Sequence, residues 1–107
     1  MQAWGFLLAA IVLEVAGTTC MKLSDGFSRP VPSVLMALLY GLSFACLTMA
    51  VKRIEIGVAY AVWAGTGTAL IALVGIAFFQ EMVTSLKLAS IAMIILGVVG
   101  LNLEAGG

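Results

Sequence analysis

Four long apolar stretches take up most of this chain and direct it to a lipid bilayer. They cover residues 3–21, 33–51, 57–79 and 86–103 of the 107-residue sequence, with only short charged segments between them. About 20 consecutive apolar residues are enough for one helix to cross the hydrocarbon core of a membrane. In lipid only helices and closed barrels satisfy their backbone polar groups, and barrel strands would alternate polar with apolar residues. We therefore predict an all-α membrane protein that consists of a single domain of four transmembrane helices.

The charge count excludes several classes of function. Lys and Arg together number five, Asp and Glu together number five, and His is absent, so the formal net charge is zero. This is too little charge to cover a water-facing surface, and it provides no basic patch for nucleic acid. Cys20 and Cys46 stand singly in apolar stretches, so we expect no metal site. With no His, metal-ligand cluster or nucleophile–base pair, we predict no enzyme, no catalytic residue and no cofactor.

The loop charges are divided almost equally between the two sides of the membrane. With four spans, Lys52 and Arg53 lie on the side of the N-terminus, while Lys22, Arg29 and Lys87 lie on the opposite side. An excess of Lys and Arg on one side normally sets the orientation of a membrane protein. The near balance here leaves two interpretations: a weak bias reinforced by the N-terminal amine, or dual topology. Copies inserted in opposite senses would pair as an antiparallel homodimer, an inverted repeat suited to alternating access.

Glu14 is the one charged residue that lies well inside an apolar stretch. A charged side chain at mid-membrane costs at least about 2.5–3.5 kcal/mol, and no Lys or Arg within a span can pair with it. A carboxyl group in this position can hold a proton or a cationic ligand, which is the minimum requirement for exchanging the two. Ala10 and Gly17 leave room beside it, and Thr18 adds a hydroxyl one turn away. We therefore favour a functional site over the alternative, a neutral Glu hydrogen-bonded to a neighbouring helix.

Aromatic residues at helical spacing predict a surface for a cation. Tyr60 and Trp63 lie on one face of the third span, and Tyr40, Ser43 and Phe44 share a face of the second. The face of an aromatic ring attracts a cation by about 0.5–2 kcal/mol, and more when the pair is desolvated. Ordinary helix packing is the alternative. Because Glu14 is present, we favour a role in substrate binding over packing for Tyr60 and Trp63. For Phe44 the two roles are equally supported.

Small residues mark two further features. Gly65 and Gly67 in the third span predict a helix kink that serves as a hinge, with a tight helix crossing as the alternative. Ser90 and Gly97 lie seven residues apart, and hence on one face of the fourth span. Small residues on one face allow close helix packing in membranes. We predict that the fourth span packs in the dimer and does not bind substrate.

Together these residues resemble the small multidrug resistance family over essentially the whole chain. The specific motifs are the membrane Glu within Glu14–Lys22, the pattern Lys-x-Ser-x-Gly-Phe at residues 22–27 and the run Ala-Tyr-Ala-x-Trp at residues 59–63. The resemblance implies an antiparallel, dual-topology homodimer in the bacterial inner membrane, surrounded by lipid. It also implies that the dimer exports cationic drugs and antiseptics in exchange for protons, the coupling ion.

The resemblance also implies roles for single residues. Glu14 of both subunits would bind protons and substrate in competition. The implied substrate-binding residues are Tyr60, Trp63, Tyr40, Thr18, Gly17, Ser43 and Phe44. Gly65 and Gly67 match the helix kink of the family, and Ser90 and Gly97 match its dimer-forming positions.

The branch of the family is indicated by the residues near Glu14. Gly17, Thr18 and Tyr40 resemble the branch that exports quaternary ammonium compounds, whereas the guanidinium branch usually has Trp where this chain has Gly17. Ala45 departs from the multidrug pattern, in which a Trp is common at this position. A guanidinium exporter therefore stays open as an alternative, as does a non-transporting membrane subunit that needs a partner chain.

Overall fold

The computed structural model describes residues 2–104, which form four helices joined by short loops. The helices are α1 (Gln2–Leu23), α2 (Pro30–Ala50), α3 (Ile56–Phe78) and α4 (Ser85–Glu104). All four are long and apolar enough to cross a membrane, and no strand occurs within residues 2–104. The prediction of an all-α chain with four transmembrane helices is therefore confirmed.

The start of α2 differs from the predicted span. The helix begins at Pro30, three residues before Ser33, and both Pro30 and Pro32 lie in its first turn. A proline is tolerated there because the backbone N–H groups of a first turn have no partner within the helix. The Ser33 backbone N–H and side-chain hydroxyl both donate to the carbonyl oxygen of Arg29, at 3.2 and 2.6 Å. These contacts extend the helical turn back to the loop.

The four helices form a thin layer in which α1 packs between α2 and α3, and α4 packs against α3. The layer measures 42 × 35 × 17 Å. The helices lie side by side in the order α2, α1, α3 and α4, because the packed pairs are α1 with α2, α1 with α3 and α3 with α4. A single row of helices does not enclose a pathway across the membrane.

The buried face of α1 leads directly to Glu14. Leu7, Ala10 and Ile11 are almost completely buried, and Gly17 is buried further along the same helix. These residues and Glu14 recur at intervals of three and four, which places them on one face of the helix. The face that packs against α2 and α3 therefore carries the carboxyl group into the interior of the layer.

The fourth helix is the least covered. Ile91 is its one buried residue within Ser85–Glu104, and Leu86, Leu96 and Leu103 are each at least 70% exposed. Ser90 and Gly97 are also exposed. A small-residue face left free in one protomer is available for packing, so the dimer role of Ser90 and Gly97 stays a prediction that this geometry permits.

Candidate functional site

The carboxyl group of Glu14 lies between α1 and α3 with its two oxygens in different surroundings. Oε1 accepts a hydrogen bond from the Thr18 hydroxyl at 3.3 Å. Oε2 is buried and has no hydrogen-bond partner among residues 2–104. A buried carboxyl oxygen without a partner is unusual, because such atoms lose their contacts with water. Oε2 is therefore a buried acceptor whose hydrogen-bonding capacity no described residue uses.

Gly67 provides the space for this carboxyl group. A Cβ atom added to Gly67 would lie 2.9 Å from Oε2 of Glu14, closer than ordinary carbon–oxygen contact. The side chain of Glu14 thus rests directly on the backbone of α3. This contact, together with the close approach of Gly65 to Val98 of α4, shows tight helix crossings at both glycines. α3 continues through them as one helix, so the predicted kink stays a prediction.

A hydrogen-bonded chain links Glu14 to α2. The Thr18 hydroxyl lies 2.6 Å from the Tyr40 hydroxyl, and because the Thr18 hydrogen is donated to Glu14, the Tyr40 hydroxyl donates to Thr18. The three side chains therefore join Glu14 on α1 to Tyr40 on α2 through Thr18. Gly17 makes this arrangement possible, because a Cβ there would lie 2.7 and 2.8 Å from two ring carbons of Tyr40. Of the residues predicted around Glu14, these hydrogen bonds and the Gly17 contact bring together Thr18, Gly17 and Tyr40.

Three aromatic rings form a second group beside α3. The ring of Trp63 meets Tyr60 at a centroid distance of 5.4 Å and Phe44 at 5.7 Å, both edge to face. Tyr60 and Phe44 are each more than half exposed. Tyr60, Trp63 and Gly67 recur at intervals of three and four, which places the rings on the face of α3 that meets Glu14. The structure thus groups Phe44 with the predicted aromatic pair.

The indole of Trp63 carries an unused hydrogen-bond donor. Its Nε1 is buried and has no partner in the described part of the chain. Oε2 of Glu14, on α1, is a buried acceptor that also has no partner. It rests against α3 at Gly67, one turn beyond Trp63 on the same face. A donor and an acceptor left without partners on one surface are the polar groups expected of a ligand site.

Ser43 forms no hydrogen bond with Glu14, Thr18, Tyr40 or Trp63 in the described residues. Its side chain is buried, and its hydroxyl donates to the carbonyl oxygen of Ala10 at 2.6 Å. This bond joins α1 to α2 where Ala10 allows close approach. The geometry gives Ser43 a packing contact, and its predicted contact with substrate stays a prediction.

The structure contains a cavity that the sequence does not predict. It has a volume of about 510 Å³ and lies between the C-terminal halves of α1 and α3. We call it the vestibule; it is lined by Thr18, Met21, Lys22, Asp25, Gly26, Ile71, Gly75, Phe79 and Glu81. These residues come from two helices and two loops, so no local pattern in the sequence could have indicated the cavity.

Comparison with known proteins assigns the family. The family model described as "Small Multidrug Resistance protein" matches residues 2–94 of this chain. The chain belongs to the small multidrug resistance family. Members of this family are transporters that form antiparallel, dual-topology homodimers, which confirms the predicted assembly at the level of the family. With its four spans, the chain is a multi-pass protein of the bacterial inner membrane.

Individual relatives in the small multidrug resistance family carry different names. The "Uncharacterized membrane protein YvaE" of Bacillus subtilis is 54% identical over 94% of this chain and 84% of its own length. The "Quaternary ammonium compound-resistance protein QacF" of Klebsiella aerogenes is 42% identical over 96% of this chain and 94% of its own. The "Guanidinium exporter" of Escherichia coli K12 is 41% identical over 96% and 98%. Overall identity therefore does not choose between the two named substrates.

Proposed function

We propose that this protein is a proton-coupled antiporter that exports lipophilic cations, above all quaternary ammonium compounds. The observation that carries the proposal is the unpartnered Oε2 of Glu14, buried on the helix face that also presents Tyr60 and Trp63. An acceptor inside the membrane next to aromatic rings suits a cation that is apolar over most of its surface. The protein requires no cofactor in this proposal, since protons are the coupling ion.

Exchange follows from competition for one group. A proton on Glu14 removes the negative charge that a cation needs, and a bound cation opposes protonation of the same carboxyl. Thr18 keeps Oε1 oriented in both conditions, because its hydroxyl can donate to either form. In the antiparallel dimer each subunit contributes one Glu14. Proton binding on one side of the membrane then releases the cation, and proton loss on the other side allows a new cation to bind.

The aromatic group would hold the apolar body of the cation. A quaternary ammonium ion cannot donate hydrogen bonds, so attraction to aromatic faces and to the carboxylate are the contacts available to it. The edge-to-face packing of Trp63 against Tyr60 and Phe44 orients the rings without consuming the Nε1 donor. That donor stays free for a polar group of the substrate.

Liposomes test this function directly. With purified protein and an acidic interior, we expect uptake of a quaternary ammonium cation against its gradient, because protons leaving the vesicle drive the exchange. Guanidinium, offered separately, is expected to enter more slowly. Absence of proton-driven uptake for both cations would contradict the antiporter. Uptake of guanidinium alone would instead support the second candidate, a guanidinium exporter, which the similar identity to the Escherichia coli exporter favours.

Gly17 provides a test of the branch. The Cβ of Gly17→Ala would overlap two ring carbons of Tyr40, so the ring must move and its hydrogen bond to Thr18 must weaken. Because the displaced ring changes the shape of the site, we expect the affinity for a bulky quaternary ammonium ion to fall about tenfold, which corresponds to about 1.4 kcal/mol of binding free energy. Guanidinium, which needs less space, should lose less.

Gly5→Ala is the matched control for this substitution. It adds the same methyl group to α1, where a Cβ would meet no described heavy atom within 4 Å. Competition binding of a tetraalkylammonium ion and guanidinium to wild type and both variants gives the result. Equal affinities for Gly17→Ala and Gly5→Ala would contradict a role for the Gly17–Tyr40 contact in selecting the substrate.

A further inference from the structure

The vestibule extends from the loops to Thr18, the residue whose hydroxyl contacts Glu14. Its inner wall includes Thr18, whose hydroxyl contacts both Glu14 and Tyr40. Its outer wall includes Asp25 from the first loop and Glu81 from the third. A volume of about 510 Å³ is within the range of small-molecule sites, about 300–1,000 Å³. A cation that follows this cavity therefore passes Glu81 before it reaches the turn next to Glu14.

Backbone contacts hold Glu81 in this position. The backbone N–H of Glu81 donates to the carbonyl oxygen of Gly75 at 3.1 Å. Its carboxyl group rests on Gly75 so closely that a Cβ at Gly75 would overlap one carboxyl oxygen and the carboxyl carbon. Gly75 is itself buried. The missing side chain at Gly75 thus creates the space in which the Glu81 carboxyl group lines the cavity.

The charges along the vestibule favour cations. Its charged side chains are one lysine, Lys22, and two carboxyl groups, those of Asp25 and Glu81. A cleft lined with an excess of one sign of charge and bounded by apolar walls concentrates ions of the opposite sign. Such a field raises the rate at which a charged ligand associates more than it changes the rate at which the ligand leaves.

We propose that Glu81 is a specificity-determining residue that captures cations in the vestibule before they reach Glu14, and that it favours dications over monocations. The proposal rests on the proposed cation-transport function and adds to it a second carboxyl group with a different task. Glu14 exchanges the cation for protons, whereas Glu81 raises the rate of capture. Because Coulomb attraction grows in proportion to the charge of the ligand, capture by Glu81 discriminates by charge.

The test is the association rate constant of Glu81→Gln, which removes the charge and keeps the shape. Tetraphenylphosphonium serves as the monocation and methyl viologen as the dication, with binding followed by stopped-flow tryptophan fluorescence of the purified dimer. We expect the association rate to fall about threefold for the monocation and about tenfold for the dication, since the attraction doubles with ligand charge. Raising the salt to about 0.5 M should remove most of this difference. The dissociation rates should stay unchanged.

Two further variants separate capture from a structural effect. Glu55→Gln removes one carboxyl group from an exposed position before α3, outside the vestibule, and should leave both rates unchanged. Gly75→Ala displaces the Glu81 carboxyl group and should slow association as Glu81→Gln does, with no further loss when the two are combined. Equal changes for both cations, or none, would overturn the proposal while leaving the proposed function intact. A wild-type protein that binds neither cation would overturn the proposed function and this proposal with it.

Discussion

Replacing Glu14 by Gln is expected to reduce proton-driven cation uptake to the level of protein-free liposomes. Gln has nearly the same shape, and its amide oxygen can still accept the hydrogen bond from Thr18. It can neither release a proton nor carry a negative charge. Loss of one member of a buried charge pair costs about 2–5 kcal/mol, so cation affinity should fall on the order of 100-fold. The measurement is uptake of a quaternary ammonium cation under a pH gradient.

Glu55→Gln is the matched control, because it makes the same chemical change at an exposed position. It should transport at the rate of wild type. Glu14→Asp is a second comparison, since it keeps a titratable group while moving it away from Thr18 and Gly67. We expect that variant to retain weak, still proton-dependent uptake. Wild-type uptake by Glu14→Gln would show that the proton is carried by another group.

Fixing the orientation of the chain is expected to abolish transport by a single variant and to restore it when two variants are mixed. The substitutions Gln2→Lys, Glu55→Lys and Arg29→Gln give four Lys and Arg on the side of the N-terminus and two on the opposite side. This excess should fix one orientation. Lys52→Gln together with Arg53→Gln leaves no Lys or Arg on the side of the N-terminus and three on the opposite side. This second variant should fix the other orientation. Only opposite orientations can form the antiparallel pair that alternating access about a central site requires.

Resistance of cells to a quaternary ammonium antiseptic is the measurement for this experiment. Each variant alone should give no resistance, and co-expression should restore it to the level of wild type. The restored activity excludes misfolding as the cause of the loss. Full resistance from either variant alone would show that the functional unit does not need both orientations.

The fold was predictable because each helix is encoded by its own apolar stretch. In lipid the helix is the only isolated structure that satisfies its backbone, so length and composition determine the four elements. The start of α2 was less predictable, since Pro30 is compatible with both a loop and a first helical turn. The thin layer was not predictable either, because exposure to lipid or to a partner leaves the same apolar pattern in the sequence.

The site was predictable in part. Glu14 is conspicuous as the one charge inside an apolar stretch, and Tyr60 and Trp63 follow from helical spacing. The hydrogen bond between Thr18 and Tyr40 depends instead on how α1 and α2 cross. The contact of Glu14 with Gly67 depends in the same way on the crossing of α1 and α3. Packing between helices distant in sequence leaves no local signal.

Glu81 shows the same limit more strongly. In the sequence it is one of several charged loop residues, and nothing near it indicates a cavity. Its position follows from the burial of Gly75 and from a backbone hydrogen bond across the end of α3. A loop charge of this kind gains a role only when the fold places it at the wall of a cavity.

The most direct test of proton–cation competition at Glu14 is a pH titration of cation binding to wild type and Glu14→Gln. Deprotonation opens the site to the cation, so affinity in wild type should rise with pH by about tenfold per pH unit for each proton released, until the carboxyl group is fully ionised. Glu14→Gln should bind weakly at every pH, with no such slope. A slope that survives in Glu14→Gln, or wild-type binding that does not depend on pH, would contradict competition at Glu14.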